Sequence, residues 1–318
     1  MKRLYVLPLL LAACGGQQLA QGYEIDRLRI LAVRAEPAEP GPGDVVTFEA
    51  LVVHPDLAIE SVVWFGCLAV DAGTYGCELD EDLFEEFEDL DPDNPPSDDE
   101  LADLYERLVE AGLLGVEPGF APTYTVPDDL LDTLTEEQRA EGMNLMLTVT
   151  ATVAPTDRDF DDTLDAEIGF KRVPISLGET PNQNPDIASL SLDGQELLDD
   201  TVLEVERCAC YDLEANLTAE SIEDYVYVNS DQVSEDRTEE PYFTWYMTAG
   251  TPDIPFSLHP YGITWQASTS EDEVSLWVVV RDRRGGMGWR EQRLTLREPA
   301  RTLELDDEGE PICGICPA

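Results

Sequence analysis

The chain has 318 residues, and its 68 Asp and Glu against 19 Lys and Arg give a formal charge of −49. Such a surface repels nucleic acid and anionic headgroups, which argues against both as partners, and it attracts cations. The length exceeds the usual single-domain size, so two domains are expected, and a hydrophobic content of 43% is ample for packed cores.

The chain opens with Lys2-Arg3, an apolar run from Leu4 to Leu11 and small residues ahead of a cysteine, the three segments of a secretory leader. The run falls far short of the roughly 20 residues that span a bilayer. Leu11-Ala12-Ala13-Cys14 resembles a bacterial lipobox, which implies cleavage before Cys14 and a diacylglycerol on its sulfur. The competing reading is an ordinary signal peptide with Cys14 incidental. The lipobox reading predicts a leader over 1–13, a tether over 14–26 and the lipid bilayer as partner through acylated Cys14. It places the protein in the cell envelope, and Gly15-Gly16 after the cysteine is compatible with the outer membrane. Losing Lys2 and Arg3 leaves 17 cationic side chains against 68 carboxylates, −51.

Strands begin near Leu28. Leu28 to Ala35 is followed by a turn rich in Pro and Gly at Glu36 to Asp44, then by Val45 to Val53 with Val46, Phe48, Ala50 and Val52 on one face. Ile59 to Leu68 carries Trp64 and Phe65. Asn144 to Val153 alternates cleanly, with Leu145, Leu147, Val149, Ala151 and Val153 on one side. Ile168 to Leu177 supplies a closing strand for a domain over 27–177.

Between these strands, about 78–142, the spacing turns helical: Asp80 to Asp89, Asp99 to Leu114 and Pro127 to Gly142 are predicted helices within a helical insertion. This insertion holds a candidate calcium loop. Asp89, Asp91, Asp93, Pro95, Ser97 and Glu100 stand at the ligand positions of an EF-hand-like twelve-residue loop. Calcium takes six to eight oxygens, which spaced aspartates and a bidentate glutamate supply. Pro96 counts against the loop, because that position normally offers a backbone N–H. The favoured reading is a solvated acidic loop, so no cofactor is expected, with calcium the alternative at this loop.

Gly178 to Asp186 holds two prolines and no apolar period, and is read as a linker. Strands resume over 187–298, among them Thr201 to Tyr211, Tyr225 to Asn229, Tyr242 to Thr248, Val274 to Arg281 and Trp289 to Arg297, with a glycine-rich turn at Asp282 to Gly288. A cysteine-containing tail covers 299–318. With Cys14 given to lipid, six cysteines remain, an even number suited to an oxidising compartment. Cys67 and Cys77 flank a short loop and form one candidate disulfide. Cys208 and Cys210, placed on one side of a strand, reach Cys313 and Cys316 if the tail folds back. Two local pairs and a four-thiolate zinc site are the alternatives.

The strand–turn–strand of Ile30 to Ala50 and the last hairpin at Val278 to Gly286 resemble bacterial immunoglobulin-like or PKD-like domains. With the lipobox, the chain is similar to lipoproteins of myxobacteria and their relatives. The resemblance implies a mainly β fold, two immunoglobulin-like β-sandwich domains, the first with a helical insertion, and it brings no catalytic residues. Antibody-type domains bridge the second and penultimate strands with cysteines, which Val45–Val53 and Asn144–Val153 lack.

Candidate chemistry is sparse. The histidines are His54 and His259, and no nucleophile elbow, Walker loop or dinucleotide fingerprint occurs. Arg281, Arg283, Arg284, Arg290, Arg293 and Arg297 concentrate positive charge, either for an acidic partner or polysaccharide or for internal pairing. Trp245, Trp265, Trp277 and Trp289 suit either a sugar-binding face or sandwich cores. The expected function is a membrane-anchored envelope lipoprotein with a binding or structural role and no catalysis, with an envelope protein or polysaccharide as partner. The alternatives are a calcium-dependent adhesion or carbohydrate-binding protein, and a hydrolase with a loop-built site.

Overall fold

The computed structural model describes residues 22–69, 97–116, 119, 121–135, 143–153, 166–175, 180–198, 202–228, 233–299, 304–305, 311–313 and 316. The leader, Cys14, Cys77 and the loop positions Asp89, Asp91, Asp93 and Pro95 lie outside them.

In the first domain, β1 (Arg29–Glu36), β2 (Val45–Val53) and β5 (Thr123–Thr125) form one sheet in that order. The facing sheet runs β4 (Leu113–Gly115), β3 (Ile59–Ala69), β6 (Asn144–Val153), β7 (Ala166–Pro174). Every pairing is antiparallel. The expected inward faces hold: Val46 and Phe48 of β2 and the Leu145–Val153 series of β6 are buried in one core with Trp64. A bulge between Ile30 and Ala32 resets the parity of β1. Leu28 and then Val33 and Ala35 face that core, which frees Leu31 and Ala32 for a second contact.

Among the described residues of the stretch read as a helical insertion, α1 (Asp98–Glu110) is an α-helix that lays Leu104 and Leu108 on Phe65 of β3, while the predicted Asp80–Asp89 helix lies outside the described residues. The stretch also supplies β4 and β5, which extend the two sheets. Of the predicted Pro127–Gly142 helix, the structure describes residues 127–135. There Leu130–Thr133 form a 3-10 turn, with Leu130 in the core, and residues 136–142 are outside the described set.

In the second domain one sheet runs β10 (Leu203–Glu206), β19 (Met287–Arg297), β18 (Glu273–Arg281), β14 (Tyr242–Met247), β16 (Phe256–Leu258). The other runs β15 (Thr251–Pro252), β17 (Ile263–Gln266), β11 (Cys210–Leu217), β8 (Ile187–Leu192), β9 (Gln195–Leu197). A two-stranded ribbon, β12 (Asp224–Val228) and β13 (Ser234–Thr238), joins β11 to β14, and β20 (Glu304–Leu305) pairs with β21 (Pro311–Ile312) in the tail.

Lettered in chain order, β1-β2-β5 against β3-β6-β7 is A-B-E against C-F-G, and β8-β11-β17 against β14-β18-β19 repeats it. Both domains are immunoglobulin-like β-sandwiches. Each buries a tryptophan on its C strand, Trp64 and Trp245, both 1% exposed. Fully burying one large apolar side chain contributes about 1.5–3 kcal/mol, so these two rings and their neighbours stabilise each core without a disulfide between B and F strands.

The stretch 201–211, read as one strand, is two. The chain leaves β10 and enters β11 in the opposite sheet, turning at Cys208 with φ 59°. Before β1, residues 23–25 run beside the second domain: Met247 donates to the Tyr23 carbonyl at 3.0 Å and Ile25 donates to the Met247 carbonyl at 2.9 Å. No helix among the described residues is long and apolar enough to cross a membrane.

Candidate functional site

The two sandwiches meet along a seam. Leu31, Ala32 and Val53 of the first pack on Trp277 and Val279 of the second, with Tyr246, Met287 and Trp289 alongside. The segment read as a linker is part of this seam. Asn182, 1% exposed, donates from Nδ2 to Asp282 at 2.7 Å and from its backbone to Glu39 at 2.7 Å. Asn184 donates to the Ala35 carbonyl at 2.7 Å and accepts from the Met287 N–H at 3.0 Å.

The glycine-rich turn is shaped by one buried carboxylate. Asp282 Oδ1 accepts from the backbone N–H groups of Arg284 at 2.7 Å and Gly285 at 3.0 Å. A Cβ at Gly286 would collide with that carboxylate and with the Gln183 carbonyl, so close packing requires glycine there. From the other side Lys171 of β7 donates to the Gly285 carbonyl. Lys171 is buried, and burial pulls its ammonium down to about 8, against the opposing attraction of Asp282 and with Arg281 adding to the depression. Arg284 reaches Glu239 at 3.0 Å, Glu223 at 3.3 Å and Glu39 of the first domain at 3.4 Å. Burial pushes the Glu239 carboxyl up, opposed by the Glu223 N–H it accepts.

The arginine concentration is engaged within the chain. Arg281 donates to Leu31 and Thr244, Arg283 to Glu240, Arg290 to Ala188, Arg293 to Glu291 and Arg297 to Glu206, in addition to Arg284. The cysteines near the chain end pair as Cys208–Cys313 and Cys210–Cys316. These bonds replace the zinc and local-pair alternatives. Cys67 is disulfide-bonded, while Cys77 of its expected pair lies outside the described residues. Of the calcium-loop candidates, Ser97 and Glu100 cap α1: Ser97 Oγ accepts from the Glu100 N–H, and Glu100 accepts from the Ser97 N–H at 2.8 Å. Those N–H and hydroxyl contacts hold the Glu100 carboxyl below its ordinary range. Among the described residues no three His, Cys, Asp or Glu side chains are grouped to hold a metal. His54 closes a turn, accepting from Asp56 and Leu57, and His259 packs beside Phe243.

At one end of the seam lies a cleft of about 320 Å³. Its walls are Glu49, Ala50 and Val52 of β2, Ile59, Val62 and Trp64 of β3, Gly119 and Ala121, and Trp289 from the second domain. The Arg34 guanidinium lies over the Trp289 ring, 4.7 Å from its centre, and is ion-paired with Glu49. Two donors buried behind these residues' surfaces, Trp64 Nε1 and Arg34 Nε, lack acceptors among the described residues. Trp245 and Trp265 are core, and Trp277 belongs to the seam, so of the four tryptophans considered for a sugar face Trp289 reaches the cleft. Trp64, Glu49 and Lys171 were missed. Lys171 shares strand parity with core Val173, a charge on an inward face, and that was the available signal.

No family model matches the sequence, and no curated protein matches it. Among solved structures, murine CEACAM1b is similar at 13% identity, with 84% of this chain and 99% of that chain covered and a TM-score of 0.20. The assignment of the fold rests on the strand order described above.

Proposed function

We propose that this chain is a lipid-anchored lipoprotein of the cell envelope, acting by binding or assembly and not by catalysis. The seam is the observation that best supports this reading. A hydrogen-bonded and partly apolar junction joins the two sandwiches, and a cleft stands at its end. Ligand sites prefer such domain junctions. The ionisable group in the cleft, Glu49, is committed to Arg34, and the remaining lining is aliphatic and indole, which suits holding a ligand. The Lys2–Cys14 motif supports the anchor, and of the stretch 14–26 read as a tether, residues 23–25 are docked on the second domain.

Two measurements, one on cells and one on purified protein, test the proposal. Cys14→Ser is expected to move the protein from the membrane to the soluble fraction, and retention in membranes would overturn lipid anchoring. Purified protein is expected to turn over none of a panel of ester, peptide and glycoside substrates. Sustained hydrolysis of any of them that tracks with the purified chain would replace the binding role with an enzymatic one.

A further inference from the structure

We infer that the cleft beneath Trp289 is a binding site for one uncharged sugar ring of a neutral polysaccharide. This rests on the binding role proposed above and names its ligand class. At about 320 Å³ the cleft lies at the small end of ligand pockets, the size for a single ring. Charge decides against anionic ligands: the chain carries −49, Glu49 stands in the wall, and Arg34 is already neutralised by it. Polarity decides against a purely apolar ligand. The Glu49 side chain in the wall is 45% exposed, and an alkyl group would take water from its carboxylate without replacing the hydrogen bonds. A sugar hydroxyl donates as well as accepts, so hydroxyls of one ring satisfy the free lone pairs of the Glu49 carboxylate. The C–H face of the same ring packs on indole and aliphatic walls, Trp289 and Ile59 among them.

The test uses the detergent-solubilised full chain titrated with cellobiose, maltose and diacetylchitobiose, following tryptophan fluorescence and heat. At least one sugar is expected to bind saturably, with a Kd of about 1 mM as fits so small a contact. Glu49→Gln, which keeps side-chain size, and Ala50→Phe, which fills the cleft, should each weaken binding at least about tenfold. Phe256→Ala, on edge strand β16 of the second domain, should leave it unchanged. Thermal unfolding matched to the parent shows that the variants are folded. Absence of saturation by all three sugars up to about 50 mM overturns the inference, as does binding that survives Ala50→Phe. A protein that stays membrane-anchored and non-hydrolytic yet ignores every sugar overturns this inference alone. Release from membranes is a failure of the anchor, and the titration reads independently of it.

Discussion

Lys171 is the sole lysine beyond position 2, and its ammonium is buried against the turn of the other domain. Its folded value is about 8 against an ordinary 10.5. Between those pH values the unfolded chain keeps a proton that the folded chain has shed, so stability rises with pH across that window and the full cost of the buried charge applies below it. The window spans about 3 kcal/mol. Lys171→Met removes it: the difference in stability between the natural protein and the variant should climb by that order from pH 8 to 10.5, measured by urea unfolding. At pH 7 the variant should be at least as stable, since an apolar replacement of a buried charge is often neutral or better. A flat difference would place the ammonium in water. At this scale the sequence was only partly readable. The Phe48 and Trp64 positions follow from alternation, whereas Asp282 looks like any other acid in an acidic chain until its three N–H donors are seen.

Among the elements, long regular strands were legible and short ones were not. β6 and β2 announce their faces by period two, and β18 with β19 frames a glycine turn. β5, β15 and β16 have two or three residues each, too few for any period, and are defined by their neighbours. The break at Cys208 was hidden because 201–211 reads as continuous strand, yet the tail disulfides were anticipated from spacing and compartment. Those disulfides carry a non-additive energy. Cys208–Cys313 closes a separation of 105 residues, which constrains the unfolded chain by about 4–5 kcal/mol. With it formed, Cys210–Cys316 closes only a small ring and adds about 2 kcal/mol. Replacing either pair with serines should therefore cost about 2 kcal/mol, since the other still closes the long loop, and replacing both should cost about 6 kcal/mol. Denaturant melts of the three variants check this; equal increments would show that the tail pairs act independently.

For the whole molecule, charge works against compactness. With 68 carboxylates on 318 residues, self-repulsion extends about 30 Å at 0.01 M salt and about 3 Å at 1 M. The thermal midpoint should accordingly climb by about 5 °C or more between these conditions in calorimetry, and a fall would mean that the seam's ion pairs outweigh surface repulsion. The domain count and sandwich class were readable from length and strand spacing. The junction was not, because its contacts join residues a hundred or more positions apart, such as Arg281 to Leu31 and Asn182 to Asp282. The short pairing of residues 23–25 with Met247 bears on mechanics. Tension applied at the amino-terminal end meets the second sandwich before it reaches β1, and it loads two backbone hydrogen bonds at once, along the line of the chain. The first sandwich, though earlier in sequence, sits downstream of that clasp and is shielded from the pull.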